Sequence, residues 1–377
     1  MKEVYLDYAA TTFPSDEVLN SFINASKIHG NPNSLHKLGK IANDNILKNT
    51  NFIANLFNIK DNEIIYTSGA SESNNLALKG ICLKHKKGHI ITTRFEHSSI
   101  IATLNYLTTL GFEVDFLETN EFGLVDIDNL KSLIRNDTIL ISIASVNSEI
   151  GNLQPIEEIG CYLKENYKDI IFHVDATQGI GKIKLNLDNI DLLSMSAHKI
   201  FGIKGIGLLI KKDNIKLVPL IHGGKSTTIY RSGTPQSELI ASLKTALEFA
   251  YIDIDKKYMY VESLKNDVKE FLNGYDNIKI NSNDYTIPYI LNFSFLGVDS
   301  NKFQELMSNN GIYLSTKTAC SISDISESVY SLTKDLERSK SSIRISFSYK
   351  TTKEEINYFK SVFDKVYKEI NDGNYNN

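Results

Sequence analysis

The chain has 377 residues, 42% hydrophobic and 23% charged, and 41 Lys and Arg against 45 Asp and Glu leave a net charge of −4. That composition excludes a disordered chain, a collagen and a coiled coil. It also lacks the basic excess of a duplex-DNA binder, so no direct nucleic-acid partner is expected. No apolar run approaches the roughly 20 residues of a membrane helix. Acids at Glu3 and Asp7 stand where a signal peptide needs cations. A soluble, cytoplasmic protein without membrane attachment is expected. Cys82, Cys161 and Cys320 are widely spaced and form no C-x-x-C. They suit a reducing compartment and make neither a disulfide framework nor a zinc site, so no metal is expected.

In chain order, Glu63–Thr67 reads as a strand, with a helix following through ESNNLALKGICLKHK. His89–Thr93 is a strand, and SSIIATLNYLTTL a helix. Phe112–Leu117 and Thr138–Ser145 are strands, and Pro155 opens a helix through IEEIGCYLKENY. Ile170–Asp175, Asp191–Ser196 and Gly205–Ile210 are strands again. Strands alternating with helices of this length predict an α/β fold with a mostly parallel sheet covered on both faces. One long helical stretch is expected from Ser237 to about Asn273. Beyond it, YILNFSFLG, NKFQELMSNN, IYLST, a polar loop from Lys317 to Ser328, SSIRISFS and a last helix from Thr352 form a smaller α+β unit. The expected division is a large domain over residues 14–255 and a small domain built from 1–13 and 256–377.

Five segments carry chemistry. In SMSAHKIFGIKGIG, Lys199 follows a strand's carboxyl end, where open α/β sheets bind ligands. A desolvated amine there is a Schiff-base nucleophile, although a lysine taken alone reads first as a solvated loop residue. In HVDATQG, Asp175 also ends a strand, and a pyridoxal cofactor needs a carboxylate against its ring nitrogen. Gln178 could donate to the phenolic oxygen of such a cofactor; the plainer reading of Asp175 is a helix N-cap. In TSGASESNN, a strand runs through Gly69, Ala70 and Ser71 directly into a helix, whose first amides would cradle a phosphate. A capping box of Ser71 with Asn74 or Glu72 is the alternative. Ser196 and His198 would add phosphate donors. His97, in RFEHSSI, could stack on an aromatic cofactor and move protons, or serve as a structural histidine at a helix start. Asn147, in SVNSEIG, offers a polar group to a substrate carboxylate or to the ring oxygen.

Together these segments resemble the class V aminotransferase family of pyridoxal-phosphate enzymes, and within it the cysteine desulfurases. The resemblance runs through YLDYAATT, GNPNSLHKLG, TSGASESNN, EHSSI, VNSEIGNLQPI, HVDATQGIGK, SAHKIFGIKGIG, RSGT and SSIRISF, in order, over nearly the whole chain. It implies an aspartate aminotransferase-like fold, with a seven-stranded sheet in the cofactor-binding large domain. It also implies that Lys199 holds pyridoxal 5'-phosphate covalently, that Asp175 meets the ring nitrogen and Gln178 the phenolic oxygen, and that His97 stacks over the ring. Ala70, Ser71, Ser196 and His198 would bind phosphate, with Thr234 reaching the phosphate of the second subunit in a homodimer. Arg344 would grip the substrate carboxylate, a pairing that uses a planar fork which Lys lacks. Only five of the 41 Lys and Arg residues are Arg.

Cys320 selects among family members. It lies in the polar stretch TKTACSISDISES, whereas Cys82 and Cys161 lie on amphipathic helices and read as core residues. The matching cysteine of desulfurases takes sulfur from L-cysteine as a persulfide. The long segment between Cys320 and SSIR resembles the nitrogen-fixation and iron–sulfur-cluster group, in which an acceptor protein takes the sulfur onward, to cluster assembly or tRNA thiolation. The chain departs from the family pattern at Lys317, in HGGKSTTIY before RSGT, and at Ser71 in place of the usual Thr. A selenocysteine lyase or other class V enzyme, and a degenerate paralogue that binds cofactor without turnover, are the rival readings.

Overall fold

The computed structural model describes residues 2–316 and 325–371. Cys320 and Lys317 lie outside the described residues. Strand β1 (Val4–Tyr5) is followed by helices α1 (Asp16–Ser26) and α2 (Lys37–Leu56). Strands and helices then alternate: β2 (Ile64–Thr67), α3 (Ala70–Cys82), β3 (His89–Thr93), α4 (Ser98–Thr109), β4 (Glu113–Leu117), α5 (Ile127–Leu133), β5 (Thr138–Ala144), α6 (Ile156–Asn166), β6 (Ile171–Asp175), β7 (Leu192–Ser196) and β8 (Gly207–Lys211). Helices α7 (Ser237–Tyr251) and α8 (Ile254–Leu272) lead to β9 (Ile278–Ile280), β10 (Ile290–Phe295), α9 (Ser300–Asn309), β11 (Ile312–Tyr313), α10 (Glu327–Thr333), α11 (Leu336–Lys340), β12 (Ser342–Ser346) and α12 (Lys353–Asn371). Among the described residues no helix is long and apolar enough to cross a membrane.

The large sheet has seven strands in the order β2-β8-β7-β6-β5-β3-β4. The run from β7 to β4 is parallel, and β8 is antiparallel to both of its neighbours. Neighbouring residues along each strand enter opposite cores, as period-two geometry requires. Ile91, Ile141, Leu193 and Leu208 join one cluster, with Ile159 and Leu163 of α6 and Leu243 and Leu247 of α7. Ile90, Leu140, Leu192 and Leu209 join the other, with Leu76 of α3 and Ile100 and Leu104 of α4. Burial on both faces is why these strands read as continuous apolar runs. The expected α/β architecture with a mostly parallel, seven-stranded sheet is the one observed.

A three-stranded antiparallel sheet, β12-β10-β9, forms a second core with α8, α9 and α12. Strand β1 pairs in parallel with β11, and Val4 and Leu6 enter this core. The chain's first residues therefore pack beside its last third.

Two sequence expectations are corrected. The stretch from Ser237 to Asn273 is two helices, interrupted at Ile252–Asp253, where Asp253 takes φ +52°. The break lets the chain change partners: Leu243 and Leu247 pack on the large sheet, while Val261 and Leu264 pack on the small one. Asp is among the few residues that enter the left-handed region readily. Cys161 is exposed, not a core residue. The buried stripe of α6 is Ile156, Ile159, Gly160 and Leu163, which leaves position 161 pointing outward. Cys82 is buried, as expected.

Candidate active site

Strand β5 falls between β3 and β6 in the sheet, so successive connections depart in opposite directions. Such a switch point opens a crevice at the carboxyl ends of the strands. A cleft of about 430 Å³ opens here, lined by Gly69, Ala70, Ser71, His97, Asp175, Gln178, Ser196, His198, Lys199 and Arg344, among others. Ten residues spread over 276 positions of sequence thus meet in a volume suited to a small ligand.

Each strand end sets one side chain. β6 ends on Asp175, whose Oδ1 accepts from Thr177 N–H at 3.0 Å and whose Oδ2 accepts from Asn74 Nδ2 at 2.8 Å. Those two donors fix the plane of the carboxylate. The second hydrogen of Asn74 Nδ2 goes to Ser99 Oγ at 2.9 Å. Ser99 in turn holds His97, its N–H donating to Nδ1 at 3.2 Å with its hydroxyl 2.9 Å from the same atom. Nδ1 is therefore an acceptor, and the neutral ring carries its proton on Nε2. Burial pushes His97 below the usual histidine range, against a weaker upward pull from Asp175. The neutral form consequently prevails at pH 7. Taking a proton from a substrate thiol would need a free lone pair on Nε2; this tautomer instead offers a donor there.

β7 ends on Ser196, and a single 3₁₀ turn, Ala197–Lys199, follows. Lys199 is half-buried, not a solvated loop residue. Its Nζ donates to the carbonyls of Ala9 and Ala10 at 2.6 and 2.7 Å. His198 Nδ1 lies 3.1 Å from Thr11 Oγ1. Burial, reinforced by the neighbouring Lys199, lowers the His198 pKa to about 4. It is neutral at physiological pH. Gln178 donates through Nε2 to Ala9 O at 2.9 Å. The segment YLDYAATT therefore lies across the cleft as a strap touching Lys199, His198 and Gln178.

Helix α3 begins at the cleft, and the expected capping box is absent. Gly69 is the N-cap at φ +153°, and no side chain caps the first turn. Glu72 instead accepts from Ser68 N–H at 2.7 Å and pairs with Arg231 at 3.1 Å. The first-turn amides of Ala70 and Ser71 are left facing the cleft with the positive end of the helix dipole. Close approach makes the cradle possible: a Cβ on Gly207 would meet Gly69 Cα at 2.8 Å.

Arg344 comes from the middle of β12, opposite Asn292 of β10. Only 2% of it is exposed. Nη2 pairs with Asp7 at 2.7 Å and Nη1 donates to Ser148 O at 2.8 Å, while Nε is buried without a partner. Nη1 and Nη2 are thus each held by one partner, and the Nε–H is left unsatisfied. Thr177 Oγ1, also at the cleft, is buried and unpaired as well.

Two predicted residues are not brought to the cleft. Asn147 lies three residues past β5, and its carboxamide is fully engaged. Nδ2 donates to Phe95 O and Ser328 Oγ, and Oδ1 accepts from the amides of Glu149 and Ile150. It shapes the turn under Arg344's partner Ser148. Thr234 is exposed, outside the cleft lining. Conversely, the roles of Asn74, Ser99 and Asp7 in holding Asp175, His97 and Arg344 are not foreseen in the sequence. All three lie inside motifs that drew attention for other residues. Asn74 and Ser99 stand early on helices that begin at strand ends, where side chains point back to the sheet edge.

Residues 4–359 match the family described as Aminotransferase class-V. The chain belongs to this family. It is 37% identical over 98% of its length to a protein from Dictyoglomus turgidum named Cysteine desulfurase IscS, covering 95% of that protein. A solved structure titled NIFS-LIKE PROTEIN superposes with a TM-score of 0.92 at 32% identity, covering 97% of this chain and 99% of that one. Another, titled SspA in complex with cysteine, gives 0.82 at 33% identity over 93% and 100%.

Proposed function

We propose that this chain is a pyridoxal-phosphate-dependent cysteine desulfurase, which converts L-cysteine to L-alanine and leaves the sulfur on Cys320 as a persulfide. The observation that carries the reading is the convergence of Lys199, Asp175, Gln178, His97 and Arg344 on one cleft beside an uncapped helix N-terminus. The relatives named for this activity and the neighbour titled with cysteine support it.

The residues present fit the cofactor. The open first turn of α3, with Ser71, Ser196 and neutral His198, suits a phosphate. Lys199 Nζ would attach it, the fixed carboxylate of Asp175 would meet the ring nitrogen, and Gln178 would donate to the phenolic oxygen. When bound, the cofactor supplies an electron sink for charge developing at the substrate Cα.

The chain's own groups do the rest. Arg344 binds the substrate carboxylate, which orients the Cα–H. Lys199 Nζ, released once the substrate amine takes its place, would be the free amine that takes the Cα proton. The Cys320 thiolate attacks the substrate Sγ; the S–Sγ bond forms, the Cβ–Sγ bond breaks, and its electron pair stays with carbon. His97, with its proton on Nε2, serves as a donor in the cleft, and alanine leaves. Ser315 pairs with Arg344 through its backbone, so the segment carrying Cys320 departs from beside the cleft.

The sulfur acceptor in this reading is a protein, in iron–sulfur cluster assembly or tRNA thiolation. In this reading the enzyme is a cytoplasmic homodimer in which the exposed Thr234 reaches the cofactor phosphate of the second copy. Alanine released from L-cysteine with a thiol reductant tests the activity, wild type beside Cys320→Ser. Alanine from the wild type and little from the variant is expected. Equal release from both would remove Cys320 from the reaction and favour a different lyase. A yellow protein that releases none would favour the non-catalytic paralogue.

A further inference from the structure

Lys182 has no place in the chemistry above, yet it is 7% exposed and stands directly behind the cleft wall. Its one side-chain hydrogen bond among the described residues goes from Nζ to Gln178 Oε1 at 2.7 Å. Its ammonium lies 5.9 Å from the centre of the Tyr289 ring. Tyr8, Tyr349 and Lys199 line the same small cavity behind the site. Burial, with Lys199 and Arg344 adding repulsion, lowers the Lys182 pKa to about 7. A buried lysine facing two cations and three phenols, with no carboxylate paired to it among the described residues, is costly to keep.

What it achieves there is orientation. While it is protonated, below about pH 7, Lys182 can only donate. It therefore pins the oxygen of the Gln178 carboxamide and turns the nitrogen the other way. One hydrogen of Nε2 goes to Ala9 O at 2.9 Å, and the other is left for the cleft that Gln178 lines. A flipped amide would set its own NH₂ against the ammonium and turn its oxygen to the cleft. We propose that Lys182 is a positioning residue, locking Gln178 with its donor outward and so determining what the site presents to the phenolic oxygen of the cofactor. This rests on the cofactor reading above, and on Gln178 facing that oxygen.

The test is the pH at which the visible absorbance of the pyridoxal-phosphate-loaded protein changes. A donor against the phenolic oxygen lowers that midpoint, and an acceptor raises it. Lys182→Met, which keeps the stem, is expected to raise the midpoint by about one pH unit. In a Gln178→Ala background the same substitution is expected to move it far less, because no amide remains to be oriented. An equal shift in both backgrounds would assign the effect to lost charge alone and overturn the proposal. No shift in either would overturn it as well. Should Lys182→Met fail to fold, Lys182→Gln keeps a donor without the charge. Positioning then predicts a midpoint near the wild type, and a full-unit rise refutes it. A wild-type protein that never turns yellow with the cofactor would instead defeat the cofactor reading itself, which separates the two failures.

Discussion

From the seven-stranded sheet the cleft receives His97, Asp175, Ser196 and Lys199, each within four residues of a strand's carboxyl end. From the three-stranded sheet it receives Arg344, out of the middle of β12 and held by Asp7, 337 residues away in sequence. The first set is placed by local geometry: a parallel strand stops, and its next residues meet the crevice. The second is placed by a long-range match between a strap at the start of the chain and a strand near its end. Groups of the first kind sit in linked hydrogen bonds running from His97 through Ser99 and Asn74 to Asp175. Arg344 is tied instead to Asp7 and to the carbonyl of Ser148, and its buried Nε has no partner. The cofactor side of the cleft is therefore prearranged, and the substrate side is left with free valence for an incoming carboxylate.

The largest effect expected is from breaking the first set. Lys199→Ala should lower alanine formation by about 10³-fold or more and abolish covalent attachment of the cofactor, seen as loss of the yellow band after denaturing gel filtration. Activity within tenfold of wild type would refute the role.

A second break within the same sheet is by acid. His173, fully buried on β6 between the hydroxyls of Ser142 and Ser194, has its pKa lowered to about 4 by burial. The unfolded chain binds a proton at ordinary histidine pH and the folded one does not. Stability from this group is thus complete above about pH 6.5 and is lost as pH falls toward 4. The loss should amount to ~3 kcal/mol, and urea unfolding of His173→Gln should show a flatter profile over that window. An unchanged slope would mean the buried imidazole is not the source.

On the other side, Arg344→Lys should raise KM for L-cysteine by roughly 10–100-fold with a smaller change in kcat, because one hydrogen-bonded fork is exchanged for a point charge. Asp7→Asn sharpens the contrast. It keeps an acceptor for Arg344 but removes the charge, so KM should change by only about threefold to tenfold. A fall in kcat with KM unchanged would place Asp7 in the chemistry instead. The smallest effect belongs to Cys161→Ser, which should leave stability within about 0.5 kcal/mol and alanine release unaltered. Loss of activity there would challenge the assignment of sulfur transfer to Cys320.

Much of this was legible in the sequence, for a physical reason. Apolar runs bounded by turns mark strands that are buried on both faces, and residues directly after such runs lie at the carboxyl edge of the sheet. Asp175, Ser196, Lys199 and His97 could be found that way without a structure. Asn147 misled because the same rule ignores what the backbone turn beyond the strand demands. Its amide closes that turn with four hydrogen bonds. Cys161 misled because periodicity gives the apolar stripe of a helix but leaves the positions at its border undecided.

By itself, then, the order of residues determined the class of fold, the family and which strand ends carry polar chemistry. These depend on local periodicity and on side chains a few positions from a strand. Only the tertiary structure decided that Ala9 and Ala10 close over Lys199, that Asp7 holds Arg344, and that Lys182 stands behind Gln178. Each of those contacts is a hydrogen bond a few ångströms long. Two of the three join residues well over a hundred positions apart. The third depends on a loop packing that buries a charge. No spacing within the chain encodes such contacts until the two cores have formed.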